Sequence, residues 1–136
     1  MNFKINAIIP AGGTSSRFGK TNKLLEKING KEVIKYTVEA FEKSNVNKII
    51  ICANVAIIDE LQNIFKESKK VRIIEGGASR QNSVFNGLRA EECDYVLIHD
   101  GARPMITTDL INTAIEEVVT KKALTVATKT IDTIKE

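Results

Sequence analysis

Two hydrophobic patterns alternate along the chain: short runs of branched apolar residues, and longer stretches where apolar positions recur every three or four residues. The first suits strands buried on both faces, the second amphipathic helices. Asn6-Ala7-Ile8-Ile9 predicts a first strand, ended by Pro10 and a glycine-rich loop. Val33, Thr37, Val38 and Phe41 recur at helical spacing, so residues 32–44 predict a helix. Lys48 to Cys52 predicts a second strand, and Ile57, Ile58, Leu61, Ile64 and Phe65 form the stripe of a second helix. Val71 to Ile74 predicts a third strand, closed by Gly76-Gly77. A third helix is expected from Ser79 to Arg89, with Val84 and Leu88 facing inward. Tyr95 to Ile98 reads as a fourth strand, and Thr108 to Lys121 as a fourth helix capped by Thr107 or Thr108. Leu124-Thr125-Val126-Ala127 opens a fifth strand.

Strands that alternate with helices in this way predict the α/β class, with a mostly parallel, doubly wound sheet covered on both faces. The length of 136 residues fits a single domain over residues 1–136. The chain stops a few residues after the fifth strand, so a fragment of a larger domain is at least as good a reading as a complete protein.

Composition narrows the function classes. The chain is 43% hydrophobic and 27% charged, and no apolar run approaches the roughly 18–20 residues of a membrane span. The start, Met1-Asn2-Phe3-Lys4, leads straight into the first strand and leaves no room for a targeting segment. A cytoplasmic protein with no membrane partner is the expectation. A net charge of +3, 5% aromatic residues and no Trp argue against a nucleic-acid surface, yet suit a small anionic ligand. Cys52 and Cys93 stand apart, without the spacing of a metal or redox site, and read as buried thiols.

In open α/β sheets, ligands bind beyond the carboxyl ends of the strands. Three loops there carry notable residues. Pro10-Ala11-Gly12-Gly13, followed by Arg17 and Lys23, places glycine N–H groups and two cations where a polyphosphate would lie. Neither the dinucleotide fingerprint nor the P-loop string is present. Gly76-Gly77-Ala78-Ser79-Arg80-Gln81-Asn82-Ser83 either meets a nucleobase or forms a plain turn with Ser79 as helix cap. In His99-Asp100-Gly101-Ala102-Arg103-Pro104, Asp100 suits Mg²⁺ and Arg103 suits a phosphate. The single histidine, His99, reads as a hydrogen-bonded loop residue; no Ser-His-Asp or zinc constellation can be assembled. The chemistry left is positioning and electrostatics, which phosphoryl-type transfer asks for.

Taken together, Ala7-Ile8-Ile9-Pro10-Ala11-Gly12-Gly13, Arg17, Lys23, Gly76-Gly77 with Arg80 and Ser83, and the string from His99 to Pro104 resemble the methylerythritol phosphate cytidylyltransferases. The resemblance spans the whole chain. It implies a fold of the nucleotide-diphospho-sugar-transferase type, CTP as donor, a sugar-alcohol phosphate as acceptor, Mg²⁺ as cofactor and a homodimeric family. It assigns Arg17 and Lys23 to transition-state charge, and Ala11, Gly12, Gly77, Ala78 and Ser83 to the cytosine pocket. Asp100, Gly101 and Arg103 would face ribose, metal and acceptor, and Thr133 would contact the acceptor. Ala102 favours methylerythritol phosphate over ribitol phosphate, whose enzymes share the framework with a bulkier residue before that arginine.

Two positions depart from the family pattern: Ser15 stands where a glycine is usual, and Ala78 where an acidic residue is. The family also continues past residue 136, into a dimerisation arm and a segment that supplies further basic groups. The expectation for this stretch alone is therefore a nucleotide half-site, weakly active or inactive, without a tight dimer. The competing readings are a ribitol phosphate cytidylyltransferase and a module that binds nucleotide without catalysis.

Overall fold

The computed structural model describes residues 3–11, 23–101 and 103–121. Its centre is a four-stranded sheet in the order β5-β4-β1-β6, formed by β1 (Ile5–Ala11), β4 (Lys48–Ala53), β5 (Val71–Glu75) and β6 (Tyr95–Ile98). Every pairing in it is parallel, with Ile8 opposite Ile50 on one side and Ile98 on the other. All of β1 is buried, as its apolar run requires of a strand that is central and covered on both faces.

Helices α1 (Val33–Glu42), α2 (Val55–Ile64) and α4 (Thr108–Lys121) cover one face, and α3 (Arg80–Ala90) covers the other. The period-two alternation of β1 decides which residue meets which layer. Ala7, Ile9 and Ala11 join Ile34, Val38, Phe41, Leu61 and Ile111 in the larger core. Ile8 joins Ile50, Cys52 and Ile98 beneath α3, with Val84 packed against them. The doubly wound α/β architecture expected from the sequence is the one observed.

Several boundaries differ for physical reasons. Pro10 does not end β1; Pro10 and Ala11 still pair with Cys52 and Ala53 of β4. Leu88 does not face inward: it is exposed, and Ser83 and Gly87 are the buried residues of α3 instead. A Cβ on Gly87 would stand 3.0 Å from Cys52 Sγ and 3.1 Å from Ile8 Cδ1, so α3 lies too close to the sheet for a large side chain there. Of the two thiols, Cys52 is buried and Cys93 only half-buried. Ser79 caps α3 by accepting the Asn82 N–H, and Thr107 caps α4 by accepting the Leu110 N–H.

An additional element is a two-stranded antiparallel hairpin, β2 (Lys27–Ile28) with β3 (Lys31–Glu32). Its turn, Asn29-Gly30, has both residues at positive φ, 55° and 83°, the geometry that Asn-Gly favours in tight hairpins. The Tyr36 hydroxyl donates to the Ile28 carbonyl at 2.6 Å and ties the hairpin to α1. The fifth strand predicted over 124–127 lies outside the described residues. No helix among the described residues is long and apolar enough to cross a membrane.

Candidate functional site

Strand order locates the site. From β1 the chain steps outward to β4 and β5, then crosses back to β6 on the far side of β1. Such a reversal leaves a crevice between the two strands whose connections diverge, here β1 and β6, beyond their carboxyl ends.

Main-chain bonding shows why the two strands part. Carbonyls of Ile5 and Ala11 accept from Asn47 and Asn54, on the β4 side, whereas the Ile8 carbonyl accepts from His99 on the β6 side. Even-numbered positions of β1 therefore face β6. Pro10 is the next of them after Ile8, and its nitrogen carries no hydrogen to continue the ladder. The last β1–β6 pair is Ile8 with Ile98.

Three segments meet at this opening, and Gly101 is their junction. A Cβ on Gly101 would lie 3.1 Å from Ile9 Cγ2, 3.2 Å from Leu24 Cδ2 and 3.5 Å from Ile34 Cδ1. The end of β1, the short 3-10 turn Lys23–Leu25 and the loop after β6 are thus packed against one another through a residue without a side chain. Lys23 is exposed on that turn beside buried Leu24, and the Lys23 carbonyl accepts the Glu26 N–H. Asp100 is half-buried and Arg103 exposed, in a turn closed by the Arg103 N–H donating to the Asp100 carbonyl at 3.3 Å.

His99 is fully buried, 5.7 Å from the Phe41 ring. Its Nε2 lies 3.1 Å from the Arg103 carbonyl, a pure acceptor, which calls for the proton on Nε2. The ring thereby braces the loop from below, the role expected of it.

The β5–α3 loop is held differently. The Gly77 N–H donates to Ser83 Oγ at 2.9 Å, and Ser83 is 1% exposed. In this fold Ser83 supports the loop from beneath, while Ala78, Ser79 and Arg80 lie exposed above it. Gly77 has no room for a side chain, because a Cβ would fall 2.4 Å from Asn82 Cβ. Pro10 and Ala11 are buried, and the Ala11 carbonyl accepts the Asn54 N–H at 3.2 Å.

The structure thus gathers the segments that carry Pro10, Ala11, Lys23, Asp100, Gly101 and Arg103 around Gly101, and fixes Gly77, Ala78 and Ser83 at the end of β5, two strands from β1. Gly12, Gly13, Arg17, Ala102 and Thr133 lie outside the described residues. No cluster of three or more His, Cys, Asp or Glu that could hold a metal occurs among the described residues. Asp100 offers a single carboxylate, which fits an ion such as Mg²⁺ that takes one or two carboxylates and completes its shell with substrate phosphates and water.

Sequence reasoning missed the hairpin and the two threonines that tie α1 to the β6–α4 loop. Thr37 Oγ1 donates to the Gly101 carbonyl at 3.0 Å, and Thr108 Oγ1 to the Ala40 carbonyl at 2.8 Å. The signal for the hairpin was present in Asn29-Gly30, and that for Thr37 was a hydroxyl on an otherwise apolar stripe.

A family model described as IspD: 2-C-methyl-D-erythritol 4-phosphate cytidylyltransferase matches residues 5–136. A protein of that description from Clostridioides difficile (strain 630) is 38% identical over 141 residues, covering 96% of this chain and 58% of that protein. One from Lachnoclostridium phytofermentans is 40% identical over 141 residues, covering 97% and 59%. The chain therefore spans about three-fifths of the length of these relatives. Among solved structures, 4-diphosphocytidyl-2C-methyl-D-erythritol synthase from Anaerococcus prevotii superimposes with a TM-score of 0.76 at 22% identity, covering 98% of this chain and 64% of that one. A CMP:2-keto-3-deoxy-manno-octonic acid synthetase complexed with CTP gives 0.73 at 22% identity, covering 90% and 50%. At those identities the two structures speak for the fold.

Proposed function

Because the chain belongs to the 2-C-methyl-D-erythritol 4-phosphate cytidylyltransferase family, we propose that its crevice binds CTP and serves the transfer of CMP to methylerythritol phosphate. The observation that carries the reading is the convergence on Gly101 of the β1 end, the Lys23 turn and the Asp100–Arg103 loop, at the switch point of the sheet.

In the proposed reaction an oxygen of the acceptor's phosphate bonds to the α-phosphorus of CTP, and the bond from that phosphorus to the bridging oxygen of the β-phosphate breaks. The electron pair leaves with pyrophosphate. No proton has to be abstracted from an ionised phosphate, which is why a site with one buried, structurally engaged histidine is adequate to the task. The chain's contribution is charge and placement.

Lys23, fixed by the packing of Leu24, opposes the negative charge that builds on the phosphates, together with Arg17. Arg103 orients an acceptor phosphate from the opposite loop. The β5–α3 loop, with Gly77 and Ala78, accepts the base, and Ser83 sets its height; Gly12 and Gly13 offer main-chain N–H groups to the phosphates. Asp100 would hold Mg²⁺, which when bound supplies positive charge to the triphosphate. Thr133 belongs to the acceptor side of the same proposal, and a CTP donor implies a cytoplasmic setting.

The test is calorimetric titration of the chain with CTP, UTP, ATP and GTP, with and without Mg²⁺, followed by pyrophosphate release on adding methylerythritol phosphate or ribitol phosphate to a full-length version. Selective, Mg²⁺-dependent CTP binding is expected, with release on methylerythritol phosphate. Equal binding of all four nucleotides, or none by a folded chain, would refute the assignment of the crevice.

A further inference from the structure

Thr37 is an unusual residue for the inner stripe of a helix. Its neighbours on that stripe, Val33, Ile34, Val38 and Phe41, are apolar and buried. A β-branched side chain lowers helix propensity, and a buried hydroxyl is costly unless it is bonded. Thr37 is 0% exposed, and its hydroxyl reaches across the core to the Gly101 carbonyl at 3.0 Å.

That carbonyl lies immediately after Asp100 and two residues before Arg103. Packing against Ile9, Leu24 and Ile34 fixes where Gly101 sits, but van der Waals contact is non-directional and does not by itself set the peptide plane. A hydrogen bond is directional, and the Thr37 bond sets that plane. Two further attachments of the loop to α1 lie at its ends: the His99 ring against Phe41, and Thr108 on the Ala40 carbonyl.

We infer that Thr37 is a positioning residue: through the Gly101 carbonyl it sets the direction in which Asp100 and Arg103 are presented to the crevice. With valine in its place the loop keeps its packing and loses its orientation. The effect on ligand binding rests on the CTP reading given above; the anchoring of the loop does not.

The experiment compares wild type, Thr37→Val, Thr37→Ser and Ser44→Ala. Ser44 is the control, a buried residue just past the end of α1 whose hydroxyl donates to the Phe41 carbonyl at 2.6 Å and accepts the Val46 N–H at 3.3 Å, both partners outside the loop. Thermal melting, amide hydrogen exchange over residues 99–106 and calorimetric titration with CTP and Mg²⁺ are measured on each. Thr37→Val and Ser44→Ala should both melt lower. Only Thr37→Val should speed exchange at Gly101 to Arg103 and weaken CTP binding, each about tenfold, the worth of one directional bond. Thr37→Ser, which keeps the hydroxyl, should restore both.

Unchanged exchange and binding in Thr37→Val, or equal changes in Ser44→Ala, would reduce Thr37 to a stabilising residue and overturn the inference. If wild type binds no CTP, the functional reading fails, and the exchange comparison alone decides the anchor. Should Thr37→Val not fold, Thr37→Cys, close in volume with a weak donor, takes its place under the same criteria.

Discussion

Replacing Gly77 with alanine puts a Cβ where the fold has none to spare. The new atom would lie 2.4 Å from Asn82 Cβ and 3.0 Å from the Asn82 carbonyl carbon. Neither is the movable tip of a side chain: both are fixed to the first turn of α3, which Ser79 caps. Relief requires the loop or the helix start to shift. Overpacking costs about 1–3 kcal/mol, and a backbone obstacle argues for the upper part of that range. The shift also stretches the 2.9 Å bond from the Gly77 N–H to Ser83 Oγ, whose loss costs about 1 kcal/mol. Together these give about 3 kcal/mol, a melting temperature lower by about 10 °C for a domain of this size. Ser83→Ala separates the two contributions, because it removes the bond without the clash and should cost about 1 kcal/mol. Thermal melting followed by circular dichroism, with urea unfolding as a second measure, reads both variants. A Gly77→Ala protein that melts as high as Ser83→Ala would show that the loop yields freely and that the steric reasoning is wrong.

Gly30→Ala forces a side chain into the left-handed region at φ 83°, where it meets no steric neighbour, so only backbone strain is added. A loss of about 1 kcal/mol is expected, and Gly30→Asn should be milder; equal melting of all three proteins would count against this. Burial pushes the Cys52 thiol up to about 11, and Cys52 is 0% exposed. Ellman's reagent at pH 8 should therefore label half-buried Cys93 slowly and Cys52 only after unfolding; labelling of both at one rate would contradict the packing beneath α3. The same thiol makes stability pH-dependent. Its native pKa is raised, so the neutral form's contribution is complete below the ordinary value of 9.0 and is lost as pH rises from there through about 11. Melting temperatures of wild type should fall more steeply over that window than those of Cys52→Ala, and parallel curves would sink the idea.

The main elements were legible because their periodicities are strong. β1, β4 and β6 are mostly apolar runs, and α1, α2 and α4 carry clear stripes, so burial on two faces or on one could be read directly. α3 was found, but its inner face was misread. Hydrophobicity named Leu88, whereas close approach to the sheet selects the small residues Ser83 and Gly87. The hairpin escaped notice because strands of two residues, Lys27–Ile28 and Lys31–Glu32, are too short to show alternation. In the candidate site, residue type pointed to Lys23, Asp100 and Arg103. It could not reveal that Leu24 and Gly101 hold them together, since packing across the core leaves no local mark on the sequence. Ser83 illustrates the same limit: nothing local in the sequence shows that its buried hydroxyl accepts the Gly77 N–H.

Pro10 has a consequence for how the crevice behaves before any ligand arrives. Were an ordinary residue in its place, β1 and β6 could form one more rung beyond Ile8, and a ligand would have to break that rung to enter. A prolyl nitrogen cannot donate the bond of that rung in any conformation of the chain. The main-chain bond that would close the opening at this position is thus absent by covalent structure. Binding there need not begin by prising strands apart.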